Sequence, residues 1–271
     1  MPVTLGCEFE ASVSERRFAG VSRLYGEAGS VAIRDSNIVI VGIGGVGSWV
    51  AEGLARSGVG RITLIDMDHL AESNINRQVH ALEATLGKAK VLAMKERIGQ
   101  INPGCEVICM DTFVDADNWS LLCPQDATAV IDACDQVLAK TAMAAWALRH
   151  TDIFFLTVGA AGGKKMAHRV EIDDLSETSH DPLLAKVRYQ LRKFHGAKKE
   201  GKRIGVPCVF SRETVVTPVV ALSQTNDSSL NCHGYGSSVA VTATFGFCAT
   251  GWVLDKISTG PKGKGQKKDI I

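Results

Sequence analysis

The stretch Ile38-Val39-Ile40-Val41-Gly42-Ile43-Gly44-Gly45-Val46-Gly47 constrains the chain more than any other. Four consecutive β-branched residues read as a strand buried on both faces, the signature of a parallel sheet. The chain then turns on glycines at 42, 44, 45 and 47 and enters an apolar stretch, Ser48–Ser57, that suits a packed helix. Strand, glycine turn and helix together aim backbone N–H groups at a phosphate. The glycines by themselves do not say which nucleotide carries it.

Composition narrows the class. At 271 residues, 45% hydrophobic and 22% charged, the chain reads as a folded protein with a substantial core. A net charge of +1 gives no global argument for nucleic acid or membrane, so any such surface is local. The eight cysteines, at 7, 105, 109, 123, 134, 208, 232 and 248, form no C-x-x-C pair. With polar residues 1–30 lacking an apolar leader core, they read as cytosolic thiols, and no zinc is expected. Ser228–Leu254 contains no Lys, Arg, Asp or Glu. A membrane association through 236–257 is one reading; its abundance of Gly, Ser, Thr and Ala favours a helix buried in a core or interface.

The chain in order alternates strands and helices. Arg61–Ile65 is a second strand, and Asp66 follows Gly47 by 19 residues, where a carboxylate can bond ribose hydroxyls. An NAD-binding fold shares that spacing. The polar segment Asp66–Gln78 then follows the carboxyl end of a strand, where such sheets place ligands. Arg77 there suits a phosphate. Lys90, in the first turn of helix Ala89–Ile101, either reaches the same anion or is solvated. Glu106–Met110, Ala127–Asp132 and Ile153–Val158 are further strands, and Asp117–Cys123 and Gln136–His150 are helices. Asp132 and Asp135 can hold Mg²⁺ on a triphosphate, or Asp135 can cap the helix that follows. A second glycine turn spans 159–163. Beyond Lys164 the rhythm changes: strand Met166–Ile172, helix Asp181–His195 capped by Asp181 with Pro182 at its first position, strand Pro207–Ser211, a loop over 219–235, and the apolar helix Gly236–Ile257. Residues 1–36 are a polar, partly helical lead-in, with Arg16, Arg17 and Arg23 either solvated or delivered to a phosphate. Residues 259–271 read as a flexible tail.

Between Lys186 and Arg203 lie eight Lys/Arg against Glu200 alone, interleaved with Tyr189, Phe194 and His195. The run is either a solvated face or a polyanion footprint, with Arg188, Arg192, Lys193, Lys198, Lys199 and Arg203 as the candidate contacts.

The series Gly42-x-Gly44-Gly45-x-Gly47, Asp66-x-Asp68, Ser73-Asn74-x-x-Arg77-Gln78, Gly87-x-x-Lys90 and Asp132-x-x-Asp135 resembles the E1-like superfamily of ATP-dependent adenylating enzymes. Arg23-Leu24-Tyr25-Gly26, Ser48-Trp49, Asp181-Pro182-Leu183, Cys208-Val209-Phe210-Ser211 and Thr242–Phe247 extend the resemblance to its tRNA threonylcarbamoyladenosine dehydratase group over nearly the whole chain. The implied fold is α/β: a Rossmann-like, doubly wound, mostly parallel sheet over 37–165 with a mixed C-terminal extension over 166–258 of the same domain.

The implied activity is ATP-dependent cyclisation of the modification beside the anticodon, through an acyl-adenylate. By resemblance Asp66 binds ribose, Arg77 and Lys90 hold phosphates, and Asp135 binds Mg²⁺. Asn74 and Gln78 line the pocket together with Asp68 and Asp132, and Gly45 lets the backbone approach the nucleotide. The implied partners are tRNA, a second copy of the chain and a sulfur-relay protein of the CsdE type. The chain departs from the sulfur-carrier-activating members, which carry paired C-x-x-C motifs and a further arginine after an Arg-aromatic pair; here Ala19-Gly20-Val21 follows Arg17-Phe18, and Arg23 is the substitute. The turn Gly159-Ala160-Ala161-Gly162-Gly163 departs slightly from the group's usual pattern. Adenylation of a carrier's C-terminal glycine, a non-catalytic nucleotide- or tRNA-binding module and an NAD oxidoreductase are the rival readings. Cys208 and Cys232 are candidates for thiol chemistry or for structural roles.

Overall fold

The structure is a computed structural model that describes residues 5–216 and 235–260, with side chains from residue 16. All but the last residue of the expected loop over 219–235, Cys232 and most of the tail therefore lie outside the described residues.

Seven strands form one sheet: β1 (Asn37–Val41), β2 (Arg61–Ile65), β3 (Glu106–Met110), β4 (Ala129–Asp132), β5 (Phe154–Val158), β6 (Val170–Asp174) and β7 (Pro207–Ser211). Their order is β3-β2-β1-β4-β5-β7-β6. All neighbours are parallel except β6 and β7, which pair antiparallel at the edge. This is the doubly wound arrangement, whose strand order reverses between β1 and β4, so ligands are expected beyond the carboxyl ends of those two strands.

The period of two along β1 explains its composition. Ile38 and Ile40 enter one core; Val39 and Val41 enter the other. Helices α1 (Leu5–Arg34), α2 (Gly47–Arg56), α3 (Lys90–Ile101) and α7 (Val239–Thr259) cover the first face. The short α4 (Trp119–Leu122), α5 (Val137–Ala147) and α6 (Pro182–Phe194) cover the second. Helix α1 is two helices joined at Gly26, whose φ of 74° breaks the helical path.

Helix α7 is the apolar stretch that admitted a membrane reading. The structure places it against α2 and α1, with Val241, Phe245, Ala249 and Val253 fully buried. A β-carbon on its Gly246 would approach Trp49 Cβ to 2.7 Å, and one on Gly53 of α2 would approach Thr250 Oγ1 to 2.8 Å. Small residues therefore serve close helix packing, which corrects the membrane reading of 236–257. Among the described residues no helix is long and apolar enough to cross a membrane. Two other boundaries shift. A 3₁₀ turn, Ala167–Arg169, occupies the start of the strand expected from Met166, so β6 begins at Val170. The helix expected over 117–123 is the single turn of α4, because Asp115 and Asn118 bond each other's backbone N–H groups ahead of it.

Candidate adenylation site

The glycine turn lies at the switch point. Gly42, at φ 86°, donates to Ile65 O at 2.9 Å, and a β-carbon there would meet Cys134 N at 2.7 Å across the β1–β4 boundary. Gly47 packs against the Gly42 carbonyl so closely that no β-carbon fits. These two glycines are required by the protein's own packing. Gly44 differs: a β-carbon there would meet nothing nearer than Gln78 Nε2 at 4.0 Å. Among the described residues the N–H groups of Gly44, Gly45, Val46 and Gly47 have no acceptor in the protein. Val46, at the N-cap of α2, offers no side-chain cap. A row of free N–H groups at a helix N-terminus is an anion site.

Asp66 braces the turn. One carboxylate oxygen accepts from Ile43 N at 2.6 Å, the other from Asp68 N at 2.8 Å. Burial pushes its carboxyl above the usual range, and Lys90 and the two N–H groups pull it back only in part. Lys90 is buried, which removes the solvated-lysine reading: its Nζ lies 2.7 Å from Asp68 and 4.0 Å from Asp66. The cation is thus ion-paired beside the turn.

The polar segment folds as a short 3₁₀ turn, Glu72–Asn74. Asn74 Oδ1 accepts from Ala71 N at 3.1 Å, and the Asn74 carbonyl accepts from Arg77 N and Gln78 N. That turn lays Arg77 across the glycines. Its Cγ and Cδ come within 3.3 Å of the β-carbon position of Gly45, and its carbonyl accepts from Trp49 Nε1 at 2.9 Å. The guanidinium donates to Ser73 O and Asn76 Oδ1. Gln78 is buried with an unpartnered Oε1.

Across the switch point the two aspartates separate. Asp135 is exposed, and the helix cap falls on Gln136 with no side-chain bond, so Asp135 does not cap α5. Asp132 corrects the sequence expectation of a paired carboxylate site. It is fully buried, with Oδ1 2.9 Å from Lys140 Nζ and Oδ2 accepting from Thr157 Oγ1 at 2.6 Å. Burial works against the Lys140 charge, but Asp132 more than offsets it and holds the ammonium above its usual range. Removing a partner from such a pair is costly, so Asp132 is structural, beneath the site. Sequence reasoning missed Lys140; the signal was one lysine within the apolar run Val137–Ala147.

Other candidates scatter. Arg188 is fixed in place through Nη1, which donates to Leu175 O, Thr178 O and Thr178 Oγ1, so it is not a mobile surface charge. Arg203 pairs with Asp173, and Arg192 donates to Lys198 O. Lys193, Lys198 and Lys199 are exposed. Arg17 donates to Ile101 O, whereas Arg16 and Arg23 stay exposed on α1. Cys208 is fully buried, and burial pushes its thiol well up, which makes it inert.

The ThiF family model matches residues 16–258. The chain is 45% identical to the tRNA threonylcarbamoyladenosine dehydratase of Escherichia coli K12 over 251 residues, 89% of this chain and 93% of that one. It is 42% identical to the enzyme of the same name from Haemophilus influenzae, over 90% of this chain and 94% of that one. The crystal structure of the E. coli enzyme in complex with ATP superposes with a TM-score of 0.82 at 43% identity, covering 90% of this chain and 95% of that one. Its complex with AMP gives 0.82 at 44% identity with the same coverage.

Proposed function

Because the chain belongs to the ThiF family, we propose that its glycine turn, Arg77, Lys90 and Asp135 form the adenylation site of a tRNA-modifying enzyme. The enzyme dehydrates N6-threonylcarbamoyladenosine in tRNA with ATP. The observation that carries the site assignment is the row of N–H groups at Gly44–Gly47 with no acceptor among the described residues, set at the switch point with Arg77 across it and the exposed Asp135 three residues beyond the end of β4.

A carboxylate is a poor electrophile because its leaving group would be oxide. Attack of the threonyl carboxylate on the ATP α-phosphate makes an acyl-adenylate and releases pyrophosphate. A nitrogen of the same modification then attacks the acyl carbon, closes a ring and releases AMP; the net change is loss of water. The free N–H groups and Arg77 bind the phosphates where negative charge develops. Lys90, held by Asp68, adds positive charge beside the turn. Asp66 shapes the turn and keeps lone pairs for ribose hydroxyls. Mg²⁺ suits Asp135: this ion takes one or two carboxylates, keeps several waters and fills its remaining positions from phosphates. When bound it supplies charge neutralisation on the phosphates.

The same reading includes an RNA footprint on exposed Lys193, Lys198 and Lys199 beside Tyr189 and Phe194. It includes a cytoplasmic homodimer and a sulfur-relay partner, with exposed Val239 and Phe247 of α7 and Leu24 of α1 as apolar surface for association. It treats 37–165 as the ATP-binding core, with 166–258 completing the same sheet.

The test is to incubate the protein with Mg-ATP and tRNA carrying the modification, and to analyse nucleosides by mass spectrometry. Wild type converts the modification. Arg77→Ala and Asp135→Asn lose about 100-fold or more in rate with unchanged melting temperatures. A folded wild type that leaves the nucleoside intact would sink the reading.

A further inference from the structure

The fold leaves a second concavity beside the adenylation cleft. An open surface depression of about 300 Å³ lies between the segment 178–182 and α6. Pro182, Ala185 and Val215 give it an apolar lining, and Ser179, His180 and Arg188 add polar groups. The depression adjoins the loop that follows β5, the strand next to the one that leads to Asp135. Asp132 of β4 pairs with Thr157 of β5, and three residues beyond each lie Asp135 and Ala160. Ala160 N donates to Asp181 Oδ2 at 2.8 Å, at the depression's edge.

Three features point to a ligand. His180 is the one non-glycine among the described residues with positive φ, at 54°, a conformation that persists only when its surroundings impose it. They do: buried Lys164 Nζ donates to the carbonyls of His180, Ser211 and Glu213. The backbone of His180 is thereby fixed, and its exposed imidazole lines the depression with no bond to the protein among the described residues. Arg188 is rigidly fixed through Nη1, leaving Nε and Nη2 without protein acceptors among the described residues. Finally, the exposed residues Ala185, Tyr189 and Lys193 lie four apart on α6, so one stripe about 12 Å long runs from the depression to the cationic surface. Asp181 carries the adverse charge, but its oxygens are turned onto Leu184 N and Ala160 N, beside Lys164.

We propose that this depression seats the adenine of the modified nucleoside, splayed from the RNA loop, with His180 stacking on the base and Arg188 bonding its edge. This rests on the tRNA-modifying reading above. Proteins read RNA chiefly through unstacked bases laid on aromatic or guanidinium planes, and enzymes acting on a base take it out of the stack. The volume lies at the bottom of the range for small-molecule pockets, room for one base. A base held here lies beside Asp181, whose carboxylate accepts from Ala160 N just past the carboxyl end of β5, while Lys193 at the far end of the stripe meets the RNA backbone.

The test is steady-state dehydration of a modified anticodon stem-loop by the full chain. Two variants are compared with wild type: His180→Asn, which tolerates the left-handed backbone but lacks the ring, and Ala185→Leu, which fills the depression on an exposed helical position. Both are expected to raise KM for the RNA about tenfold, the range of one base–aromatic stack, and to leave KM for ATP and the melting temperature unchanged. His180→Gly, which relieves the backbone strain, replaces His180→Asn if that variant does not fold. An RNA KM within twofold of wild type in either variant, or an ATP KM that rises in parallel, overturns the proposal. An active wild type with such variants sinks this inference alone; an inactive wild type sinks the parent reading with it.

Discussion

A methyl group at position 47 would collide with the Gly42 carbonyl, whereas one at position 44 would point into open space. The two glycines look equivalent in sequence and have different causes. Gly47→Ala forces β1 and α2 apart and is expected to cost about 3 kcal/mol or more, a loss of several degrees in melting temperature. Gly44→Ala is expected to melt within about 2 °C of wild type yet bind ATP at least tenfold more weakly, because the methyl occupies the space a phosphate needs. Thermal melts and ATP titrations on both variants check the contrast; equal ATP affinity for Gly44→Ala and wild type would refute it. The aspartates divide the same way. Asp132 and Asp135 read as one pair, but only the fold reveals that Lys140 and Thr157 consume the first and leave the second exposed.

At the scale of elements, α2 and α3 are joined by charge as well as by apolar packing. Glu52 of α2 is 3% exposed and bonds Arg97 of α3 at 2.6 Å and Arg56 at 2.8 Å. Burial pushes its carboxyl up, but the two guanidiniums outweigh burial and hold it below the usual range. His80 is buried near this network, and neither ring nitrogen has a partner. Burial first, then the charges of Lys90 and Arg97, push its pKa down to about 3 from 6.5. The unfolded chain therefore takes up a proton as pH falls through 6.5 while the folded chain does not. The stability His80 contributes is complete above pH 6.5 and is lost toward pH 3, at up to about 1.4 kcal/mol per pH unit. Urea midpoints at pH 7, 6 and 5 should fall for wild type and flatten for His80→Leu. This window lies above that of Glu52, whose contribution is lost only as pH falls below about 4.5. Parallel slopes for wild type and variant would remove His80 from the account.

For the molecule as a whole, net charge of +1 hides a local cationic surface at the end of α6. Replacing Lys193, Lys198 and Lys199 together by Ala should weaken tRNA binding and lower the slope of log affinity against log salt by about 2–3, at roughly 0.7–0.9 per phosphate contact. Filter binding at several salt concentrations measures the slope, and an unchanged slope places the RNA elsewhere. The division between sequence and fold follows from the range of the forces involved. Local periodicity and glycine placement marked the strands, the helices and the position of the nucleotide turn, because backbone sterics and the burial of alternate side chains act within a few residues; the doubly wound order was implied by the family resemblance and is fixed by pairings between strands far apart in the chain. Asp66 and Asp135 stood out because they follow strand ends, Lys90 because it opens a helix and Arg77 because it lies in the polar segment between them, while the roles assigned to all four came from the family resemblance. Only the tertiary structure decided which charges remain available. Lys140 reaches Asp132, Arg188 reaches the carbonyls of Leu175 and Thr178, Asp68 holds Lys90, and Lys164 reaches across to hold His180. A charge is committed by the partner that desolvates it, and such partners lie far apart along the chain.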